Sequence, residues 1–344
     1  MRPFEPRLLP MSVGSVPHKR PAQACDLVLK HFPQIPTWPQ LPKRTFLENM
    51  YVQYSELFPG VMLEMDSERI YVDREQELDE PLEALYVAYL KNETEYGAIS
   101  KEYAAGLHEM LGRALPGLVA VKGQVTGPVS WGLMVVDQTR RPILYEEILA
   151  DAVAKHLRLK AAWQEQQLRK LSPKVITFLD EPYMSSFGSA YVSLGREQAI
   201  ALMEEVLAGL EGIKGVHCCG NTDWSLLLAT SVHILNFDAY GFAETLALYA
   251  DDVKSFLGRG GILAWGIVPA SEIVFAETPE HLLERLEQAM QMLVAKGIPL
   301  DEILEASLIT PSCGTGSLSE ESAERVLSTT AQVSQLARQK FGAA

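Results

Sequence analysis

Eight short apolar runs that favour β-strands alternate along the chain with stretches of helical periodicity. The apolar runs are residues 9–16, 37–41, 118–124, 175–179, 213–219, 233–237, 262–267 and 306–309. The helical stretches include residues 145–171, 196–210, 242–257, 279–296 and 320–341. Strands that alternate with helices form βαβ units and a parallel sheet, and eight of them fit a closed barrel better than an open sheet. The sequence therefore predicts an α/β fold, a (β/α)8 TIM barrel.

The segment between the second and third predicted strands departs from this alternation. Residues 61–65 and 70–72 predict a β-hairpin, and helical patterns follow at 83–91 and 101–115. We interpret residues 58–114 as an excursion near the barrel mouth, which is either a stabilising flap or a lid. No Pro/Gly/Ser-rich or charged tract divides the chain, so we expect residues 1–344 to form a single domain. Two stacked α/β domains are the alternative.

Charge and composition exclude several classes of protein. The chain has 44 acidic and 30 basic residues and a net charge of −14, which disfavours binding to nucleic acid or to an anionic membrane. No apolar run approaches the roughly 18 residues that a membrane span requires, and residues 1–10 lack the apolar segment of a signal peptide. Four cysteines are too few for a secreted disulfide scaffold. We expect a cytoplasmic protein with reduced thiols.

A histidine and a cysteine lie two residues apart at the end of the fifth predicted strand. His217 and Cys219 therefore point to the same face, whereas Cys218 points to the other and is interpreted as a packing residue. Cys313 follows the eighth strand, and the carboxyl ends of barrel strands share one face. Any one of these residues alone would most simply be a buried core residue. Together they predict a catalytic zinc site with a fourth position for a substrate thiol, whose thiolate the metal would favour.

Carboxylates follow two other predicted strands. Asp238 ends strand six, beside strand five, and is the candidate oxygen ligand. The equal alternative is that it accepts a hydrogen bond from a metal ligand or caps the start of a helix. Asp180 and Glu181 end strand four, and because they are adjacent only one of them is expected to face the mouth. That carboxylate would receive a substrate ammonium group. A helix cap or a loop salt bridge is the alternative.

Groups for a substrate carboxylate are present after the first two strands. Gly14 and Ser15 offer backbone N–H groups and a hydroxyl after strand one. Lys43 and Arg44 follow strand two and are the alternative cationic partners, with solvated surface charge as the ordinary interpretation.

These elements resemble the catalytic C-terminal barrel of the cobalamin-independent methionine synthase family. That family lies within the superfamily of uroporphyrinogen decarboxylase and corrinoid-dependent thiol methyltransferases. The resemblance extends in order over nearly the whole chain. It is carried by residues 13–17 (VGSVP), 121–128 (VKGQVTGP) with Trp131, 178–182 (FLDEP), 217–219 (HCC) and 311–314 (PSCG).

The resemblance implies a fold, a reaction and a set of site residues. The fold is the TIM barrel, and the reaction is zinc-dependent methyl transfer to the thiol of homocysteine, which forms methionine. Asp180 would contact the homocysteine amino group, Ser15 would hold the carboxylate region, and Asp238 falls where the family has a glutamate ligand. The implied residues are, for zinc, His217, Cys219, Cys313 and Asp238, and, for the substrate, Ser15, Asp180, Gln124 and Trp131.

The run at 217–222 (HCCGNT) also resembles the His-X-Cys-Gly-Asn-Thr element of zinc enzymes that move methyl groups from methylcorrinoid proteins to coenzyme M. The long methionine synthases carry a second, N-terminal barrel that helps to bind folate, and 344 residues leave no room for it. The two resemblances together imply that the methyl donor is methylcobalamin on a corrinoid protein rather than a folate. The alternatives are methyl transfer to another thiol such as coenzyme M, and a non-catalytic metal- or corrinoid-binding protein.

Overall fold

A parallel sheet of six strands lies at the centre of the structure, a computed structural model that describes residues 2–189 and 192–342. Residues 1, 343 and 344, the ends of the predicted domain, lie outside the described residues, as do 190 and 191. The described strands are β1 (Val61–Glu64), β2 (Arg69–Val72), β3 (Val121–Thr126), β4 (Val136–Asp137), β5 (Val175–Asp180), β6 (Ile213–Cys218), β7 (Ile234–Phe237), β8 (Ile262–Val268) and β9 (Ser307–Pro311). The six-stranded sheet has the order β3-β5-β6-β7-β8-β9, with every neighbouring pair parallel.

Helices connect these strands and surround them. The described α-helices are α1 (Pro21–His31), α2 (Asp79–Leu90), α3 (Ala105–Leu111), α4 (Pro128–Met134), α5 (Glu147–Leu168), α6 (Arg196–Leu207), α7 (Trp224–Ala229), α8 (Ala239–Leu246), α9 (Ala250–Gly258), α10 (Pro279–Val294), α11 (Leu300–Glu305) and α12 (Glu320–Phe341). Short 3-10 helices lie at Phe46–Glu48, Thr94–Gly97, Ile143–Tyr145, Pro182–Ser186, Ala247–Tyr249 and Glu272–Ala276. Within the described part of the chain, no helix combines the length and apolar character that a membrane crossing requires.

Two extended segments near the start of the chain close the sheet into a barrel. Residues 9–16 pair in parallel with β9 and with residues 37–41, which in turn pair in parallel with β3. Both segments pair through isolated bridges, which join Pro10 to Ile309, Ser15 to Gln40 and Thr37 to Lys122. The prediction of a (β/α)8 TIM barrel is confirmed, with these two segments in the places of strands one and two.

Alternate strand residues face the barrel interior and become more polar toward the carboxyl ends. In β5 the inward positions are Ile176, Phe178 and Asp180, and in β6 they run from Ile213 to His217. Ile176, Phe178 and Ile213 belong to one buried apolar cluster with residues of β7, β8 and β9. The apolar layers stabilise the closed sheet, and the polar layer at the carboxyl end is left for chemistry.

The predicted excursion between strands two and three is present. β1 and β2 form an antiparallel hairpin, as predicted, and β4 adds a parallel strand to its edge, which was not predicted. The α5 helix carries a buried polar stripe, residues His156, Lys160 and Gln164, and Lys160 is the member that bonds the excursion. His156 Nε2 lies 2.7 Å from the carbonyl oxygen of Tyr54, and Lys160 Nζ donates to the carbonyl of Ala98 at 2.8 Å. These bonds fix the chain that leads into the barrel mouth.

Three helix predictions differ from the structure in their bounds. The helix predicted at 83–91 begins earlier, at Asp79, and the one predicted at 101–115 is limited to Ala105–Leu111. The helix predicted at 242–257 is two helices, α8 and α9, separated by a 3-10 turn. Phe242 has a non-helical φ of −134°, which interrupts a helical pattern that the sequence continues.

Candidate metal centre

Three potential ligands from two strand ends meet at the carboxyl end of the barrel. His217 lies in β6, Cys219 follows it, and Cys313 follows β9. Their ligand atoms all lie within 4.8 Å of one another, and no other such His, Cys, Asp or Glu group occurs in the described ranges. The imidazole is 3% exposed and the two cysteines are half-buried. The structure thus brings together the three residues that the sequence motifs singled out.

A neighbouring amide fixes the tautomer of the histidine. Asn236 Nδ2 donates to the carbonyl of Ala264 at 2.9 Å and to Thr310 Oγ1 at 2.7 Å. The remaining amide atom, Oδ1, lies 2.7 Å from His217 Nδ1 and must accept the proton there. In the neutral ring His217 Nε2 is therefore the nitrogen without a proton, and it is buried without a hydrogen-bond partner. A buried lone pair beside two thiols is the arrangement that a metal-binding imidazole has, since the other nitrogen of such a ring is held by an acceptor.

The two thiols and the imidazole are electrostatically unequal. A hydrogen bond from Cys313, followed by the effect of His217, lowers the pKa of Cys219 despite burial. The same interaction and burial raise the pKa of Cys313, because its ionisation would place a second negative charge beside the first. Burial opposes protonation of His217, but the neighbouring Cys219 outweighs it and raises the imidazole pKa. A divalent cation removes this conflict by allowing both sulfurs to ionise, and zinc accepts this N/S ligand set.

A cavity of about 460 Å³ opens above the three ligands. Ser15 and Asp180 line it together with the three ligands, so five of the sequence-predicted site residues border the same cavity. Its lining residues are Val13, Ser15, Gln40, Pro42, Lys43, Glu48, Asn49, Met50, Tyr51, Asp180, Pro182, His217, Cys219, Cys313, Gly314, Gly316 and Ser317. The volume suits a small molecule.

The adjacent carboxylates at the end of β5 diverge. Asp180 lines the cavity, and its Oδ1 is buried without a hydrogen-bond partner. Burial raises the pKa of Asp180 to about 6. Glu181 turns away and accepts the backbone N–H groups of Val129 at 3.0 Å and Ser130 at 2.7 Å, at the start of α4. Asp180 is therefore the carboxylate that is free to receive a ligand.

A buried lysine lies beneath the cavity and was not singled out by the sequence. Lys122 of β3 is fully buried, and its Nζ donates to the carbonyl of Val13 at 2.5 Å and to Gln124 Oε1 at 3.1 Å. Burial lowers the pKa of Lys122 to about 8, while Asp180 acts in the opposite direction. The only signal in the sequence was a charged residue among the alternate polar positions 122, 124 and 126 of β3.

Asp238 lies apart from the three ligand atoms. Its carboxylate caps α8, where Oδ1 accepts the backbone N–H of Gly241 at 2.8 Å. Burial raises the pKa of Asp238. This contact corresponds to the N-cap alternative. Asp238 would have to leave Gly241 in order to become a metal ligand.

Gln124 and Trp131, the other two sequence-predicted substrate residues, do not line the cavity. Gln124 Nε2 donates to the carbonyl of Trp38 at 3.3 Å within the buried layer below. Trp131 of α4 is fully buried, and its Nε1 donates to the carbonyl of Tyr51 at 2.7 Å. Of their two partners, Tyr51 lines the cavity and Trp38 does not.

Residues 48–51 form one side of the cavity, and the sequence did not identify them as lining residues. Glu48 is almost fully buried there, and its carboxylate accepts N–H groups from Leu41 at 3.1 Å and Ala105 at 3.3 Å and pairs with Arg44. No local pattern marks these residues, because their place depends on how the excursion packs against the barrel.

The comparisons with known proteins establish the fold. No protein-family model matches the chain, and no curated protein matches it. A solved structure described as a B12-independent methionine synthase from Shewanella sp. W3-18-1 in complex with selenomethionine is similar to it, with a TM-score of 0.61 and 16% identity over 98% of this chain and 99% of that one. The chain has the fold of a methionine synthase. A methyltransferase from Methanosarcina mazei is similar to it with a TM-score of 0.58 and 12% identity over 97% of this chain and 94% of the other. The resemblance inferred from the motifs is thereby confirmed for the fold.

Proposed function

We propose that the protein is a zinc-dependent methyltransferase that transfers a methyl group to the thiol of homocysteine and forms methionine. The observation that carries the proposal is the buried, unpartnered Nε2 of His217, which faces Cys219 and Cys313 at the floor of a cavity. An unpartnered carboxylate, that of Asp180, lines the same cavity. The fold shared with a methionine synthase and a methyltransferase supports methyl transfer as the reaction class.

The chain's own residues fit a zinc ion. His217, Cys219 and Cys313 would hold it and leave a fourth position for the substrate thiol, with Asp238 as a further candidate ligand. When bound, zinc supplies Lewis acidity that lowers the pKa of the substrate thiol, so that a thiolate is present near neutral pH. Asn236 keeps the imidazole in the binding tautomer throughout.

The remaining site groups position the amino acid. An ammonium group at Asp180 Oδ1 would satisfy a buried oxygen that has no partner in the protein, and Ser15 would contact the carboxylate. The thiolate sulfur forms the new S–CH3 bond as the bond from the methyl group to its donor breaks, and the electron pair of that bond leaves with the donor. No general base is needed at this step, because the thiol proton has already left. Holding the sulfur in line with the methyl group supplies much of the rate.

The methyl donor is proposed to be methylcobalamin on a corrinoid protein, on the resemblance of residues 217–222. Chain length does not support this donor. The similar methionine synthase structure is described as B12-independent, and this chain covers 99% of its length. The same resemblance favours coenzyme M as a second candidate acceptor. Asp180 argues for an amino-acid thiol, because a sulfonate gains nothing from a carboxylate.

Methionine formation by zinc-analysed protein tests the proposal. Homocysteine is supplied with methylcobalamin, free or protein-bound, or with methyltetrahydrofolate, and coenzyme M replaces homocysteine in parallel reactions. We expect methionine from one of the donors. Zinc binding without methyl transfer to any thiol would instead identify a non-catalytic metal-binding protein.

Cysteine variants link the metal to the reaction. Cys219→Ser should lose zinc and activity together. Cys218→Ala is the matched control, because its sulfur is packed in the apolar core, donates to the carbonyl of Gly220 and does not line the cavity. Full activity in zinc-free Cys219→Ser protein would refute the proposal. Asp180→Asn should retain zinc and lose affinity for homocysteine, and an unchanged affinity would remove the ammonium assignment.

A further inference from the structure

The cavity above the candidate ligands contains three other charged side chains, and two of these charges are available to a ligand. Glu48 is already satisfied by Arg44 and by two backbone N–H groups. Asp180 Oδ1 has no partner. The third is Lys43, a cationic residue that lines the cavity and is not one of the candidate metal ligands. The cavity therefore offers one free anion and one cation in addition to its sulfur-binding floor.

Lys43 is held at the cavity rim by a weak partner. Its Nζ donates to the carbonyl oxygen of Leu318 at 2.6 Å, and the residue is exposed. A neutral carbonyl satisfies one of the three ammonium donors. A carboxylate entering the cavity would be a stronger acceptor, because charge-assisted hydrogen bonds are about twice as strong as neutral ones.

A serine hydroxyl lies beside the same loop, which runs from Cys313 to Leu318. Ser15 Oγ accepts the backbone N–H of Gly316 at 3.2 Å, so its own proton remains free to donate. A Cβ at Gly314 would overlap this hydroxyl, and the glycine therefore allows the loop to approach it. Ser15 and Lys43 thus border one loop, whose first residue is a candidate metal ligand.

We propose that Lys43 is the specificity-determining residue that binds the substrate carboxylate, together with the Ser15 hydroxyl. This inference rests on the proposed function and specifies its substrate class as α-amino acids with a thiol or thioether side chain. Recognition then has three points: sulfur at the floor, ammonium at Asp180 and carboxylate at Lys43. Lys43 leaves the Leu318 carbonyl when the ligand enters.

Binding of thioethers tests this assignment without thiolate chemistry. Methionine and 3-(methylthio)propylamine, which is methionine without its carboxylate, are titrated into the purified protein by isothermal calorimetry. We expect Lys43→Met to weaken methionine binding about tenfold or more, the effect of one charge-assisted hydrogen bond. Binding of the amine should not change. Lys254→Met is the matched control, since Lys254 is exposed and does not line the cavity.

The outcomes separate this inference from the proposed function. Equal weakening of both ligands by Lys43→Met, or an unchanged methionine affinity, would overturn the role of Lys43. The same conclusion would follow if the unaltered protein bound methionine no better than the amine. If the selective loss is seen but homocysteine is not methylated by any donor, the carboxylate site stands and the proposed reaction fails.

Discussion

Replacement of Asn236 by alanine should weaken zinc binding and lower stability, for different reasons. The side chain is fully buried and makes three hydrogen bonds, to His217 Nδ1 at 2.7 Å, the Ala264 carbonyl at 2.9 Å and Thr310 Oγ1 at 2.7 Å. At about 1 kcal/mol each, their loss lowers the free energy of unfolding by about 3 kcal/mol. Loss of an acceptor behind a metal-binding imidazole reduces metal affinity about 10- to 100-fold, which corresponds to about 1.4–2.7 kcal/mol.

Two further variants separate orientation of the imidazole from general destabilisation. Asn236→Asp keeps an acceptor for His217 Nδ1 but loses both amide donors, so it should be destabilised and still bind zinc nearly as tightly as the unaltered protein. Ser334→Ala removes a buried hydrogen bond of 2.7 Å from α12 to the Leu8 carbonyl, and neither residue lines the cavity. It should cost about 1 kcal/mol and leave the zinc affinity unchanged.

Chelator competition gives the zinc dissociation constant, and urea unfolding of the zinc-free proteins gives the stability. We expect the unaltered protein, Ser334→Ala and Asn236→Asp to bind zinc with nearly equal affinity. Asn236→Ala should bind it more weakly than all three. Zinc binding by Asn236→Ala that is as tight as in the unaltered protein would refute the argument that Asn236 selects the imidazole tautomer.

Two other perturbations follow from buried positions. Burial raises the pKa of Glu181 to about 7 from its usual 4.5, so the folded protein binds this proton more tightly than the unfolded chain. The contribution of Glu181 to the free energy of unfolding should therefore fall by about 3 kcal/mol as the pH rises from about 4.5 to about 7. Urea unfolding across this range should show a smaller fall for Glu181→Gln, and equal slopes would contradict the assignment. Gly215→Ala places a methyl group against the Phe178 ring and should cost about 1–3 kcal/mol in urea unfolding, whereas Gly258→Ala, with open space at its Cβ, should cost nothing. Equal stability of the two alanine variants would show that the ring moves freely.

The ligand triad was predictable because strand geometry alone determines it. His217 and Cys219 are two positions apart, so the two-residue period of a strand puts them on one face. Cys313 follows the last predicted strand, and the carboxyl ends of parallel barrel strands meet. The divergence of Asp180 from Glu181 follows from the same alternation. These inferences needed a strand assignment and a sheet direction, but no side-chain packing.

The groups that support the triad depend on register and packing, which the sequence does not display. Asn236 lies opposite His217 only because β6 and β7 pair in one particular register. In the sequence it is a single polar residue in an apolar run. Residues 48–51 lie among contacts that join distant parts of the chain, since Glu48 accepts the N–H of Ala105 and His156 of α5 bonds the carbonyl of Tyr54.

The curvature of the closed barrel brings together residues that are far apart in the chain. Ser334 reaches the carbonyl of Leu8 across 326 positions of the chain, and residues 9–16 pair with β9 nearby. Contacts this distant in sequence close late, because the entropy of the intervening loop must be lost first. The candidate ligands lie at the ends of β6 and β9, which β7 and β8 separate within one sheet. Their ligand atoms approach within 4.8 Å because the sheet curves into a barrel, so a metal bound there would favour the curved sheet over a flatter one by mass action.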